Sequence, residues 1–199
     1  MAAPDASGPR EGLILALFTV LALAASAFVL VSEESDAVDD PVQKAARGEI
    51  AALGELSLLR ERNLRRALDT IEAGPYPLIE TIHVSAGEVR ATVRDADGIR
   101  RVLLIDAGFD TDERDFGTGT GEAVSPAEVD AGAPERMVRE IVRRLGVSAE
   151  DVDYVTASFS NRATGPRWYM PLTTGPARER QWIAEADGGE LRRPGEESR

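Results

Sequence analysis

The side chains best equipped for chemistry in this sequence are carboxylates. Asp110, Asp112, Glu113 and Asp115 fall within six positions, and calcium favours such clustered oxygen donors. The spacing begins like an EF-hand loop, but the fifth position is Arg114, no glycine stands at the sixth and no glutamate at the twelfth. The cluster therefore reads as a solvated loop, and no metal is assigned to it. Glu80, Glu88, Asp106 and Asp110 could supply the two carboxylates of a glycosidase-type hydrolase, although nothing in their spacing marks a pair. His83 is the single histidine, so any Ser–His–Asp triad must use it. It stands between Ile82 and Val84 in a strand-like run, and the sequence has no Gly-x-Ser-x-Gly elbow. A surface or edge histidine is the default reading. The run Gly117-Thr118-Gly119-Thr120-Gly121 could cradle a phosphate, but it lacks the Gly-Lys-Ser/Thr ending and is followed by the anionic Glu122. It reads as a hinge.

The chain of 199 residues contains no cysteine, which removes disulfides, thiolate metal sites and cysteine nucleophiles. With one histidine and no cysteine, ordinary zinc sites are removed as well. Asp and Glu number 35 against 23 Lys and Arg, a formal net charge of -12. Such a chain is repelled by phosphate backbones, so no nucleic-acid partner is expected. No catalytic residue, cofactor or metal is expected either.

Aromatic residues gather late in the chain, at Phe159, Trp168, Tyr169 and Trp182. In an alternating strand Trp168 and Met170 face one side and Tyr169 the other. Core packing is the favoured reading of these rings. The functional reading is a partner-binding patch of Trp168 and Tyr169 rimmed by Arg162, Arg167 and Arg178, because Trp, Tyr and Arg dominate interface hot spots.

These residues must be positioned by elements, and the first element is apolar. Residues 12–31 carry no charge and no proline, and a helix of that length spans about 30 Å, the thickness of a bilayer core. Arg10 and the terminal amine precede the run, while Glu33, Glu34, Asp36, Asp39 and Asp40 follow it. By the positive-inside rule residues 1–11 stay cytoplasmic, 12–31 form a transmembrane helix and the remainder is extracytoplasmic. Cleavage as a signal peptide is the alternative, with small residues near Ala27 and Ala37. Residues 32–58 are expected to form an acidic tether and a juxtamembrane helix. That helix either packs on its own domain or supports a homodimer, and the first is favoured.

Beyond it the periodicity changes repeatedly. Leu64, Leu68 and Ile71 mark one helix face, ended by Gly74-Pro75. Three strands are expected at 78–85, 88–94 and 99–107, the middle one alternating strictly. Residues 108–133 read as a glycine-rich, acidic linker with a capped helical turn at Ser125–Glu128. A second helix follows from Pro134, with Met137, Ile141 and Leu145 expected as its buried stripe, and ends at Gly146. Strands are expected again at 153–159, 166–172 and 180–186, then a turn at Asp187-Gly188-Gly189 and a disordered tail over 191–199.

Helix and three strands thus occur twice, over 59–107 and 134–190. One such unit buries little apolar area alone, so the two are expected to close one core. With the LxxLG and IEAG helix ends and the Ala186-Asp187-Gly188-Gly189-Glu190 turn, the pattern resembles the PepSY-like and β-lactamase-inhibitor-like families of tandem α-β-β-β units. That resemblance implies an extracytoplasmic protein that binds or inhibits other proteins, and no family site residue maps onto this chain. The fold expected is therefore α+β: a transmembrane helix, then two helix-plus-three-strand units packed as one domain. The function expected is a membrane-anchored, non-catalytic adaptor for another envelope protein or peptide. A secreted inhibitor and a carboxylate hydrolase are the alternatives.

Overall fold

Strict alternation of apolar and polar residues produces antiparallel strands here. The structure, a computed structural model, describes residues 50–159, 165–175 and 180–196, all within one unit, Asp40–Arg199. The expected transmembrane helix, the tether up to residue 49, Arg162 and Arg178 lie outside the described residues. Among the described residues no helix is long and apolar enough to cross a membrane.

Two α-helices are present among these residues, α1 (Glu61–Glu72) and α2 (Ala133–Leu145). Seven strands accompany them: β1 (Leu78–Ser85), β2 (Glu88–Arg94), β3 (Ile99–Asp106), β4 (Thr111–Thr118), β5 (Tyr154–Ser158), β6 (Arg167–Pro171) and β7 (Gln181–Glu185). They form one sheet in the order β4-β3-β2-β1-β5-β6-β7, and every neighbouring pair is antiparallel. The fold is α+β. The two repeats join at their first strands, β1 against β5, with Ile82 opposite Ala157 and Val84 opposite Val155. Each repeat then fans outward from that seam.

Burial follows the pleat. Ile82 and Val84 of β1, Val89, Ala91 and Val93 of β2, Leu103 and Ile105 of β3, Val155 and Ala157 of β5, and Trp168 and Met170 of β6 are sealed from solvent. Leu64, Leu68 and Ile71 of α1 and Met137, Val138 and Ile141 of α2 belong to the same core. Both helices therefore cover one face, and the other face is left open, as antiparallel sheets allow. The expected Glu135–Arg139 and Glu140–Arg144 pairs form, at 2.5 and 3.0 Å, and Gly146 closes α2 in the left-handed conformation at φ 67°.

Three expectations need correction. The segment expected as a linker contributes β4, so the first repeat has four strands. All eight β4 residues are exposed, so no buried stripe announces the strand; ladder bonds to β3 and cross-strand charges hold it. Residues 50–58 are turns and not a helix. Ser57 is the reason: its Oγ donates to Ala52 O at 2.5 Å and accepts from Leu59 N at 3.1 Å, diverting groups that a helix would use. The segment does pack on its own domain, through the buried Ala52, Leu58 and Leu59. The tail is ordered through its first residues: Leu191 is buried, Arg192 bridges to Ile183 of β7, and its guanidinium meets Glu185 at 2.9 Å.

Candidate binding groove on the open sheet face

Tyr169 and Trp168 are consecutive residues of β6 and point to opposite faces. Trp168 is 1% exposed, and its Nε1 donates to Ala186 O at 3.0 Å. It is core, and it has no surface to offer a partner. Tyr169 is 39% exposed. Its cross-strand neighbours are Thr156 of β5 and Ile183 of β7, which puts all three on the open face. Arg167, two positions away on that face, pairs with Glu185 at 3.8 Å. Of the residues expected in a partner patch, Tyr169 and Arg167 share the open face, Trp168 does not, and Arg162 and Arg178 lie outside the described residues.

A groove of about 410 Å³ runs along this end of the open face. Tyr154 and Thr156 supply β5's share of it, Tyr169 and Pro171 that of β6, and Gln181 and Ile183 that of β7. Pro194 and Gly195 form its wall. The wall stands where it does because Arg192 pairs with Ile183 and Arg193 N donates to Glu196 Oε2 at 3.0 Å, closing a turn. Among the described residues no Asp, Glu, Lys, Arg or His lines the groove; its polar groups include tyrosine and threonine hydroxyls and the Gln181 amide. Volume and lining match small-ligand and short-peptide sites, which are apolar with a few polar groups.

His83 extends the aromatic surface onto β1. Its ring lies 4.1 Å from the Tyr154 ring, tilted by 30°. Burial, reinforced by Arg90, holds its pKa below the ordinary 6.5, so the ring is neutral near pH 7.

The opposite end of the open face is ionic. Glu80 is the extra residue of a β1 bulge between Ile79 and Thr81, and its carboxylate is 3% exposed. It meets Arg100 at 2.6 Å and Arg94 at 3.4 Å. Arg94 also donates to Gly119 O and Gly121 O at 3.3 and 2.8 Å, so the glycine run is pinned on an arginine and is not a free hinge. Two of the other carboxylates weighed for hydrolysis have partners of their own. Glu88 pairs with Arg90 at 3.0 Å, and Asp106 accepts from Gly108 N and Asp110 N at 2.8 and 3.0 Å. The acidic cluster is split by the pleat of β4. Asp112 pairs with Arg114 at 3.1 Å, whereas Glu113 and Asp115 both pair with Arg101 on the other face. Among the described residues no three metal-ligating side chains converge.

The molecule belongs, on this geometry, to the class of helix-backed antiparallel sheets with one solvent-facing side. No protein-family model, no curated protein and no solved structure matches the chain.

The groove was half legible beforehand. Alternation in Arg167–Pro171 marks Tyr169 as the outward ring. Tyr154 and Ile183 carried no signal, because their relevance comes from strand order, and Pro194 comes from a tail whose docking no local pattern shows.

Proposed function

We propose that the protein is a non-catalytic binding module, held on a membrane by residues 12–31, that presents the open face of its sheet to another envelope protein or peptide. The observation that carries this reading is the uncharged aromatic groove of Tyr154, Thr156, Tyr169 and Ile183. In a chain with 29% charged residues, a concave surface with no charged lining among the described residues favours burial by a partner over solvation. Tyrosines add contact area at low entropic cost, since each fixes only about two torsions. Glu80, Glu88 and Asp106 are engaged in ion pairs and turns, which also favours binding over chemistry. The uncharged run before the acidic segment favours a membrane anchor, and the resemblance to tandem-unit families favours an extracytoplasmic address.

Site-specific photocrosslinking in native membranes tests this. A benzophenone side chain at position 169 should give an adduct with another polypeptide, and one at position 143, on the helix layer, should not. Tyr154→Ala should reduce the adduct from position 169. Equal labelling from both positions, or silence from 169, removes the case for the groove. Protease added outside intact cells should digest the domain; protection there sinks the topology.

A further inference from the structure

The helix layer carries the opposite charge to the chain as a whole. The sequence has a formal net charge of -12, yet the outward side of α2 sets Arg136, Arg139, Arg143 and Arg144 against only Glu135 and Glu140. The first half of α1 adds Arg62, Arg65 and Arg66 against Glu61; Asp69 and Glu72 lie beyond them, at the last turn. The basic surface is therefore α2 together with the start of α1. Depth separates the two signs further. In the Glu135–Arg139 pair the arginine side chain is 59% exposed and the glutamate 18%. In the Glu140–Arg143 pair the values are 73% and 30%. The carboxylates lie beneath and the guanidinium groups form the outermost layer, so an approaching surface meets positive charge first. Arg136, Arg139 and Arg143 follow one another at i, i+3 and i+7, a row about 10 Å long.

Exposed pairs of this kind contribute little to stability, so each arginine can exchange its glutamate for another anion while the helix stays folded. A guanidinium also matches two phosphate oxygens at once. A hollow of about 480 Å³ between the row and the Gly188–Leu191 turn leaves room for a headgroup. Two arguments select a lipid surface over other anions. A soluble acidic partner or a nucleic acid must approach against the net charge of the whole chain. A bilayer entered by residues 12–31 is already beside the domain, and tethering makes contacts sufficient that would be too weak in free solution. Residues 32–49 reach at most about 65 Å when extended, so the helix layer is within range. That layer also faces away from the groove, and both surfaces can be occupied at once.

We infer that the arginine row of α2, with the start of α1, lies on the phosphates of an anionic bilayer and turns the open sheet face away from it. This rests on the membrane anchor proposed above. The test places the full-length chain in nanodiscs containing a gadolinium-headgroup lipid and reads leucine methyl signals. Leu145 of α2 is 37% exposed and reports the helix layer. Leu104 of β3, between the buried Leu103 and Ile105, reports the open face. With about one-third phosphatidylglycerol, broadening at Leu145 should exceed that at Leu104 at least about threefold. The ratio should fall to about one in phosphatidylcholine alone and in about 0.5 M salt. Arg139→Gln with Arg143→Gln should lower it likewise, Arg139→Lys with Arg143→Lys should largely keep it, and the sealed Leu64 and Leu68 signals should stay in place in both. A ratio near one in anionic discs, or one indifferent to lipid charge and to the glutamines, overturns the inference and leaves the anchor standing. Stronger broadening at Leu104 overturns it and also covers the groove. A shift of Leu145 with soluble polyglutamate, without lipid-dependent broadening, assigns the row to an acidic protein instead. A chain that does not enter the discs removes the anchor and the inference together, while the groove keeps its own test at position 169.

Discussion

Trp168 faces the helices, with its indole N–H satisfied by Ala186 O, while Tyr169 leaves over a third of its surface in solvent. The two rings should therefore fail differently when truncated. Trp168→Ala removes a sealed ring and should cost about 3–5 kcal/mol, read as a drop in the urea midpoint, with binding lost only through unfolding. Tyr169→Ala should cost under about 1 kcal/mol and abolish partner binding while the protein stays folded. If both variants lose stability equally, the division of β6 into a core face and a contact face is wrong. His83 gives a second residue-scale prediction. Its folded pKa is lowered by burial and by Arg90, against Glu88 and Asp153, which raise it. The unfolded chain therefore takes up the proton first as pH falls through 6.5. Its contribution is complete above that pH and is lost as pH drops toward the folded value. Wild type should lose urea stability as pH falls below 6.5, and His83→Gln should lose less of it; identical losses would show that the ring does not titrate as its surroundings imply. A separate loss belongs at lower pH. Glu140 is held below its ordinary 4.5 by Arg143, whose hydrogen bond outweighs the opposing effect of burial, so its share disappears as acid protonates it.

Elements tell a different story about legibility. The β2 strand was readable to the residue because alternation specifies both its type and its face. The start of α1 was not. Arg60 precedes it without a side-chain cap, and the first free amide, Glu61 N, donates to Glu135 Oε2 of α2 at 2.9 Å. A cap supplied from 74 positions away leaves no mark in local sequence. Burial pushes the Glu135 carboxyl up, but the Glu61 amide and Arg139 outweigh it and hold it down. The bulge at Glu80 was equally hidden, since its reason is the pair of arginines on β2 and β3. Glu80→Gln keeps the shape and leaves Arg94 and Arg100 partly buried without a counter-charge. It should cost about 3 kcal/mol, the lower end for a broken buried pair, because Arg100 keeps 28% of its side chain in water. A double-mutant cycle with Arg100→Met separates coupling from lost packing, and additivity would refute the pairing. The Asp187-Gly188-Gly189 turn makes the matching backbone test. Gly188 has φ 74°, and a Cβ there would stand 2.7 Å from Ala133 Cα. Gly146 has a similar φ of 67° with open space around it. Gly146→Ala should cost about 1 kcal/mol, and Gly188→Ala clearly more, since the turn must also move off α2.

At the scale of the molecule, the unresolved problem for an open-faced sheet is its two edges, because unpaired strand edges recruit other strands. One edge, β7, is met by the tail at Arg192. The other, β4, has all eight residues exposed and no cover among the described residues. It carries Asp112, Glu113, Arg114 and Asp115 in succession, and its ladder to β3 is interrupted between Arg100 and Arg101. Two copies pairing antiparallel through β4 bring together strands that each carry three acids and one arginine. Centred on Arg114, arginine faces arginine and Glu113 faces Asp115, whereas centred between Arg114 and Asp115 opposite charges meet. Like charges directly opposed are destabilising, and the net negative charge of each strand disfavours self-association through this edge. The same charges explain why the strand escaped notice: it has no apolar face, and charge without periodicity reads as loop. Replacing residues 112–115 by threonines removes them while keeping strand propensity. Light scattering of the full chain in nanodiscs with one scaffold pair should then show a dimeric species that grows with concentration, and the parent should not show it under the same conditions. The same variant should keep the adduct from position 169, because β4 and the groove lie at opposite ends of the sheet. An unchanged mass for the threonine variant would mean that charge is not what keeps this edge unpaired.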